Sequence, residues 1–213
     1  QQICNSVIIQ SDNINIKSNS FELKEVLHLL SRISENHHRS SSFINEIEKV
    51  LLYFKEDIQS YYSNIEIFNI FKKNKRILLF LLENKLLKID DYVSCKMRTK
   101  NFYPFYFFKE MKDFIEEKER ERIEKIVFKI NENDPEAFEK KRKIGENDSL
   151  ICELIRNDSV DEFIVYVNQT NTSLSTEIES SYFETNSFLI KNKANLIEYA
   201  AFYGSIQIFR YLY

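Results

Sequence analysis

The sequence predicts an all-α protein made of short helices stacked in pairs. Its 213 residues include only 2 glycines and 2 prolines, so few positions suit the tight turns that β-hairpins need. Apolar residues recur at helical spacing along most of the chain, and one helical pattern occurs twice near the carboxyl end. With 43% hydrophobic residues, the chain has enough apolar surface to build a sizeable core.

The amino-terminal part of the chain changes its periodicity once. Residues 1–20 alternate briefly between polar and β-branched residues, which predicts an extended segment or tether. Helical spacing begins at Phe21, where Asn19 and Glu22 have the spacing of a capping box. The polar stretch that contains His37 and His38 is expected to end this first helix.

Residues 21–146 are predicted to form a helical N-terminal region. The predicted helices cover about 43–61, 65–71 and 75–87, a shorter one after the Asp90–Asp91 pair, one with Pro104 in its first turn, and one that starts at Pro135. The highly charged segment 109–143 keeps a helical spacing of apolar residues and predicts one long helix or a pair of helices.

The most informative pattern is an internal repeat. The stretch from Ile151 to Val167 matches the stretch from Leu196 to Leu212 at an offset of 45 residues, and each copy predicts a helix, a break and a second helix. Gly204 at the second break favours a left-handed helix end, and Ser159 at the first predicts a capping box with Glu162.

The second copy also carries the residues that define a family resemblance. Ala200, Ala201 and Gly204 match the Ala-Ala-x-x-Gly core of the ankyrin signature, whereas the Thr-Pro and His positions of that signature hold other residues. The segment 195–212 therefore resembles an ankyrin repeat. The wider segment 143–212 is similar to divergent ankyrin proteins that are expanded in parasitic protists, in which a helical region of unknown function precedes the repeats.

The resemblance implies an α-solenoid that recognises another protein, with the repeats in residues 147–213. It implies small residues at Ala200 and Ala201 because two helices cross closely there. The long insertion 168–194 would correspond to the hairpin fingers that contact partners in ankyrin arrays. Tyr182, Phe183 and Phe188 are its candidate partner-binding residues; the alternative is that these aromatic residues only cover the end of the helical region.

The residue types needed for catalysis or metal binding do not form any motif. The three cysteines, Cys4, Cys95 and Cys152, are far apart and lack nearby histidines, and His28 stands alone. With two glycines, a phosphate-binding loop is nearly excluded. We therefore expect no cofactor, no metal, no catalytic residue and no enzymatic activity, and an enzyme with an unrecognised helical fold is the least favoured hypothesis.

Charge and hydropathy limit the partners and the compartment. Thirty basic and 33 acidic residues give a net charge of −3, which disfavours binding to nucleic acid. No run reaches the roughly 18–20 apolar residues of a membrane span. Widely spaced cysteines predict a cytoplasmic protein, and the basic cluster Lys140–Lys143 makes the nucleus the alternative.

The leading functional hypothesis is a scaffold that binds a partner through the ankyrin-like face and the insertion. The alternative is a structural or self-assembly module in which the helical region mediates oligomerisation. Ile206, Phe209 and Leu212 form an apolar face that further repeats or a second subunit would cover. From this face, and from the missing initiator methionine, we expect the chain to be part of a longer repeat protein.

Overall fold

A computed structural model describes residues 19–36, 41–130 and 134–213 of the chain. Helices account for 72% of these residues and no strand occurs among them, which confirms the all-α prediction. None of the helices in these ranges is both long and apolar enough to cross a membrane. The chain divides into two compact units, Gln1–Ile144 and Gly145–Tyr213, called here the N-terminal and the C-terminal unit. The predicted extended segment 1–20 lies outside the described residues, except that Asn19 precedes the first helix and Ser20 begins it.

The first half of the N-terminal unit contains five helices. They are α1 (Ser20–Asn36), α2 (Ser41–Tyr53), α3 (Lys55–Tyr61), α4 (Asn64–Phe71) and α5 (Lys75–Glu83). The single helix predicted over 43–61 is wrong, since the chain breaks at Phe54, where φ is −93° and ψ is 14°. The apolar stripe continues across the break, and Leu51, Phe54 and Ile58 are all buried.

Local end signals explain most of these helix bounds. Ser63 and Glu66 form the complete capping box that their spacing predicts, and Asn74 accepts a hydrogen bond from the backbone N–H of Ile77. Helix α5 ends at Glu83 rather than at Leu87, because Lys85 takes a left-handed conformation with φ of 61°. This turn directs the next two residues, both leucines, into the core.

The second half of the N-terminal unit contains shorter helices and one longer one. They are α6 (Asp91–Arg98), α7 (Tyr103–Tyr106), α8 (Phe108–Met111), a 3-10 turn (Lys112–Phe114), α9 (Glu117–Ile130) and α10 (Pro135–Ile144). Pro104 lies in the first turn of α7, as predicted. Asp134 accepts a hydrogen bond of 2.9 Å from the backbone N–H of Ala137 and caps α10.

One member of the basic cluster 140–143 is a core residue. The side chain of Arg142 is 0% exposed, and its Nη2 contacts both carboxylate oxygens of Glu110 at 2.8 and 2.9 Å. Its Nη1 contacts Glu139 at 3.0 Å, and its guanidinium lies 5.3 Å from the centre of the Tyr106 ring. The cluster is therefore interrupted by a buried ion pair that fastens α10 to α8, so Arg142 is not available as part of an exposed basic patch.

The C-terminal unit contains two helix–turn–helix pairs. Its helices are α11 (Leu150–Arg156), α12 (Val160–Thr170), α13 (Ser187–Asn192), α14 (Leu196–Tyr203) and α15 (Ile206–Leu212). The first pair is α11 and α12, and the second is α14 and α15. Helix α11 contacts α14 and helix α12 contacts α15, so like elements of the two sequence copies lie against each other.

Both breaks end their first helix with a left-handed residue, Asp158 in the first pair and Gly204 in the second. Gly204 has φ of 71° and ends α14 in the predicted left-handed conformation. The predicted capping box of Ser159 with Glu162 is wrong, because the Ser159 side chain makes no capping hydrogen bond. Instead Asp158, with φ of 52°, accepts hydrogen bonds of 3.0 Å from the backbone N–H groups of Gln207 and Ile208. This carboxylate joins the first turn to the start of α15.

The two alanines of the repeat signature have different surroundings, which leads to a testable prediction. Ala200 is 0% exposed and belongs to the core between the pairs, whereas Ala201 is exposed. We expect Ala200→Leu to lower the free energy of unfolding of the C-terminal unit by about 1–3 kcal/mol through overpacking. Ala201→Leu should change it by less than about 0.5 kcal/mol. Hydrogen exchange of the amides in α14 in the full chain measures both, and equal effects would contradict close packing at Ala200.

Candidate interaction surface of the C-terminal unit

One apolar core unites the two helix pairs. Phe163 on α12 is fully buried, and its ring lies 6.1 Å from that of Tyr211 on α15 in an edge-to-face arrangement. The buried members of this core are Cys152, Ile155, Phe163, Val167, Leu189, Ala194, Leu196, Tyr199, Ala200 and Ile208. Residues from both sequence copies and from the insertion thus belong to one core.

A polar network holds the same pairs together. The Nε atom of Arg156 contacts Glu146 at 2.8 Å, and its Nη1 donates to the backbone carbonyl of Asn147 at 2.8 Å and to the hydroxyl of Tyr199 at 2.9 Å. Burial raises the pKa of Tyr199, so its hydroxyl stays protonated at neutral pH. These contacts join the residues before α11, and α11 itself, to α14.

The insertion 168–194 folds back onto the helix pairs. Ile178 donates its backbone N–H to the carbonyl of Ala194 at 2.8 Å, and Leu196 donates to Thr176 at 3.2 Å. The carbonyl of Gly145 accepts hydrogen bonds from both the backbone N–H and the hydroxyl of Thr185. The insertion is therefore attached at residues 176–178 and at Thr185, and only the isolated bridge between Glu177 and Asn195 has the pairing of a hairpin.

A buried carboxylate strengthens the second attachment. Glu184 is buried and accepts backbone N–H groups from Asn147 at 3.2 Å and from Asn186 at 2.8 Å. The Asn147 side chain in turn donates to the carbonyl of Glu179 at 2.8 Å. The sequence signal for this attachment is the polar triplet 184–186 beside an apolar run, which our sequence reasoning did not use.

The three predicted partner-binding residues lie in different environments. Phe183 is only 1% exposed, so its ring is part of the interior and does not contribute to a binding surface. Tyr182 is half-buried. Phe188 on α13 is 51% exposed, and its ring stacks on that of Phe202 with centroids 6.0 Å apart and an interplanar angle of 10°. The structure does not bring the three residues together as one exposed patch.

Phe188 and Phe202 form what we call the aromatic pair. Its first member is held in place by Asn186, which is buried and accepts hydrogen bonds from the backbone N–H groups of Phe188 at 2.9 Å and Leu189 at 3.3 Å. Its second member comes from the repeat helix α14. The sequence does not single out Phe202, which stands at one of the two unspecified positions of the Ala-Ala-x-x-Gly signature.

A second surface feature lies on the second helix pair. An open groove, called here the end groove, is lined by Ala200, Ala201, Gly204, Ser205, Ile206, Phe209 and Arg210. The first four of these lining residues are small, and the ring of Phe209 stacks on that of Tyr213 with centroids 6.3 Å apart. Ile206 and Phe209 belong to the apolar face that the sequence analysis singled out.

The groups considered for metal binding or catalysis do not assemble into a site within the described ranges. No group of three or more His, Cys, Asp or Glu residues in the described part of the chain is arranged to hold a metal ion. Burial raises the pKa of the Cys152 thiol, which disfavours the reactive thiolate. Cys95 is exposed and His28 lies on α1, while Cys4, His37 and His38 lie outside the described residues.

Comparison with known proteins adds no further information on this surface. No protein-family model, curated protein or solved structure matches the chain.

Proposed function

We propose that this chain is a non-catalytic scaffold that binds another protein through its C-terminal unit. In this proposal the two helix pairs belong to an ankyrin-like α-solenoid, and the insertion 168–194 supplies part of the binding surface. The aromatic pair of Phe188 and Phe202 is the centre of that surface.

The stacking of the two helix pairs supports the solenoid part of the proposal. The first helices of the two pairs contact each other, and so do the second helices. Repeat proteins bury a continuous core by stacking equivalent helices in this way. The hydroxyl of Ser205 donates to the carbonyl of Ile155, and Asp158 caps α15. These hydrogen bonds join neighbouring pairs at the turn where Ser205 stands in the place of the His that follows Gly in the ankyrin signature.

The exposure of Phe188 on a fixed segment is the observation that carries the binding role. A half-exposed phenylalanine that stacks on a second ring offers a large apolar area for burial by a partner. Because Asn186 and Thr185 already anchor the segment, little conformational entropy remains to be lost when a partner binds. An aromatic side chain held in this way has the properties of an interface hot spot.

The test compares Phe188→Ala with Val165→Ala, an equally exposed apolar residue on α12. Truncation of a hot-spot aromatic residue weakens binding by about 2 kcal/mol or more, which is roughly a 30-fold loss. We therefore expect affinity capture with the full chain, followed by quantitative mass spectrometry, to identify proteins that Phe188→Ala loses and Val165→Ala retains. Equal retention of every captured protein by both variants would overturn the proposal.

The alternative function, self-assembly through the helical region, is supported by exposed apolar residues there. Phe21 and Leu29 on α1 and Phe128 on α9 are all more than half exposed, the last of them at 65%. A self-association surface at α9 predicts that the full chain is oligomeric in light scattering and becomes monomeric with Phe128→Glu. A monomeric wild-type chain would exclude this alternative and leave the scaffold proposal.

A further inference from the structure

The end groove is the counterpart of a face that is already covered within this protein. The hydrogen bonds of the two turns align Ile155 with Ala201, since Ser159 donates its backbone N–H to Leu154 and Ser205 donates its backbone N–H to Ala200. In the first pair Ile155 is 0% exposed and its carbonyl accepts the Ser205 hydroxyl of the second pair, whereas Ala201 is exposed. The face that receives helices in the first copy is therefore open in the second.

The shape of the end groove differs from that of the covered face. Alanine at 201 stands where the first pair has Ile155, and Gly204 stands where the first pair has Asp158, so smaller residues line this part of the groove than the equivalent part of the first pair. Ile206 and Phe209, which are 59% and 36% exposed, form its apolar sides. The small residues leave space between two large apolar side chains. A bulky apolar side chain of a helix that packs across the groove fits into this space.

The charge of the residues that line the end groove indicates which kind of partner can bind there. Arg210 is the one charged residue among those that line the groove, and it is exposed. It makes no ion pair with any other residue in the described ranges, and helix α15 contains no acidic residue. Two copies of this chain placed groove to groove would bring two guanidinium groups together, which disfavours a second copy. A carboxylate would complement Arg210 with two parallel hydrogen bonds.

We propose that the end groove binds an amphipathic α-helix of a partner protein. A large apolar side chain of that helix enters between Ile206 and Phe209 above Ala201, and an Asp or Glu side chain nearby pairs with Arg210. This mode is that of a helix docked in an apolar groove. Neither residue of the aromatic pair lines the end groove, so this proposal concerns a different surface from that of the proposed function.

The test titrates the 15N-labelled full chain with two synthetic helical peptides. Both carry leucines at positions i, i+3, i+4 and i+7 on an alanine and glutamine background, and they differ only in glutamate or lysine residues beside that stripe. We expect the glutamate peptide to shift the amides of Ala201, Gly204, Phe209 and Arg210, and to bind at least fivefold more tightly than the lysine peptide.

Two variants connect the expected result to the groove. Arg210→Gln should reduce the preference for the glutamate peptide to less than twofold, since it removes the guanidinium from an exposed site. Ala201→Leu fills the bottom of the groove and should abolish binding of both peptides, while an otherwise unchanged amide spectrum shows that the unit is folded.

Three results would overturn this proposal. They are no shifts at millimolar peptide, equal affinity for the two peptides, and shifts that map outside the end groove. Concentration-dependent shifts of the same amides without peptide would identify a second copy of the chain as the occupant, which also contradicts the proposal. None of these results bears on Phe188, so the proposed function stands or fails by its own test.

Discussion

Replacement of Arg142 by alanine is expected to lower the free energy of unfolding of the N-terminal unit by about 3–5 kcal/mol, the usual cost of removing one member of a buried ion pair. The side chain is completely buried and forms a bidentate contact with Glu110 that joins α10 to α8. Without it, the Glu110 carboxylate, whose side chain is only 21% exposed, loses its main partner. Removal of the guanidinium also leaves a space beside the Tyr106 ring.

The electrostatics of Arg142 support this expectation. Burial by itself lowers the pKa of a guanidinium, yet the carboxylates of Glu110 and Glu139 together outweigh burial, and the pKa of Arg142 is raised. The charged form is therefore the form that the folded state prefers. The stability of the N-terminal unit depends on keeping that charge paired inside it.

Lys143→Ala is the matched control for Arg142→Ala. Lys143 is the next residue of α10 and pairs with Glu83 at 3.3 Å, but both side chains are largely exposed. Exposed ion pairs contribute about 0–1 kcal/mol. Urea unfolding of the full chain, followed by amide exchange in α7 to α10, should separate the two variants clearly. Similar losses of stability in the two variants would mean that burial does not determine how much the Arg142–Glu110 ion pair contributes.

Replacement of Phe163 by alanine is the second large expected effect. We expect the C-terminal unit to lose about 3–5 kcal/mol, because the change removes a fully buried ring and leaves a cavity. Phe163 belongs to the first helix pair but contacts Tyr211 in the second, so the cavity opens between the pairs. Amide protection should therefore fall in α14 and α15 as well as in α12.

Val165→Ala is the matched control for Phe163→Ala. Val165 lies two residues away on the same helix but is exposed, and its truncation should change stability by less than about 0.5 kcal/mol. Hydrogen exchange and mass spectrometry on the full chain report on each helix separately. Loss of protection confined to α12 after Phe163→Ala would show that the two pairs do not share one core.

Several elements follow from the sequence because their causes are local. The capping box of Ser63 and Glu66, the first-turn Pro104 and the left-handed Gly204 involve residues within one helical turn of each other. Their geometry depends on short-range hydrogen bonds and on permitted backbone angles. The same holds for the two helix–turn–helix copies, whose apolar spacing is visible in the sequence alone.

The candidate surface follows only in part from the sequence. The aromatic residues of the insertion are apparent as a composition change, but the sequence treats Phe183 and Phe188 alike. The structure buries the first and exposes the second, because the hydrogen bonds of Thr185 and Glu184 to Gly145 and Asn147 turn the chain at that point. Those bonds join residues that are 37 to 40 positions apart, and no local pattern predicts them.

By itself, the sequence determined that this chain is helical, where most of its helices begin, and that one helix–turn–helix unit occurs twice, since these features depend on periodicity and on contacts within a turn. Tertiary structure alone decided that Phe54 interrupts a helix, that Asp158 caps a helix of the other pair, and that Arg142 is a core residue. Each of these three features depends on a contact with residues that are distant in the sequence. The type of a residue, apolar or charged, does not determine which distant residue it contacts.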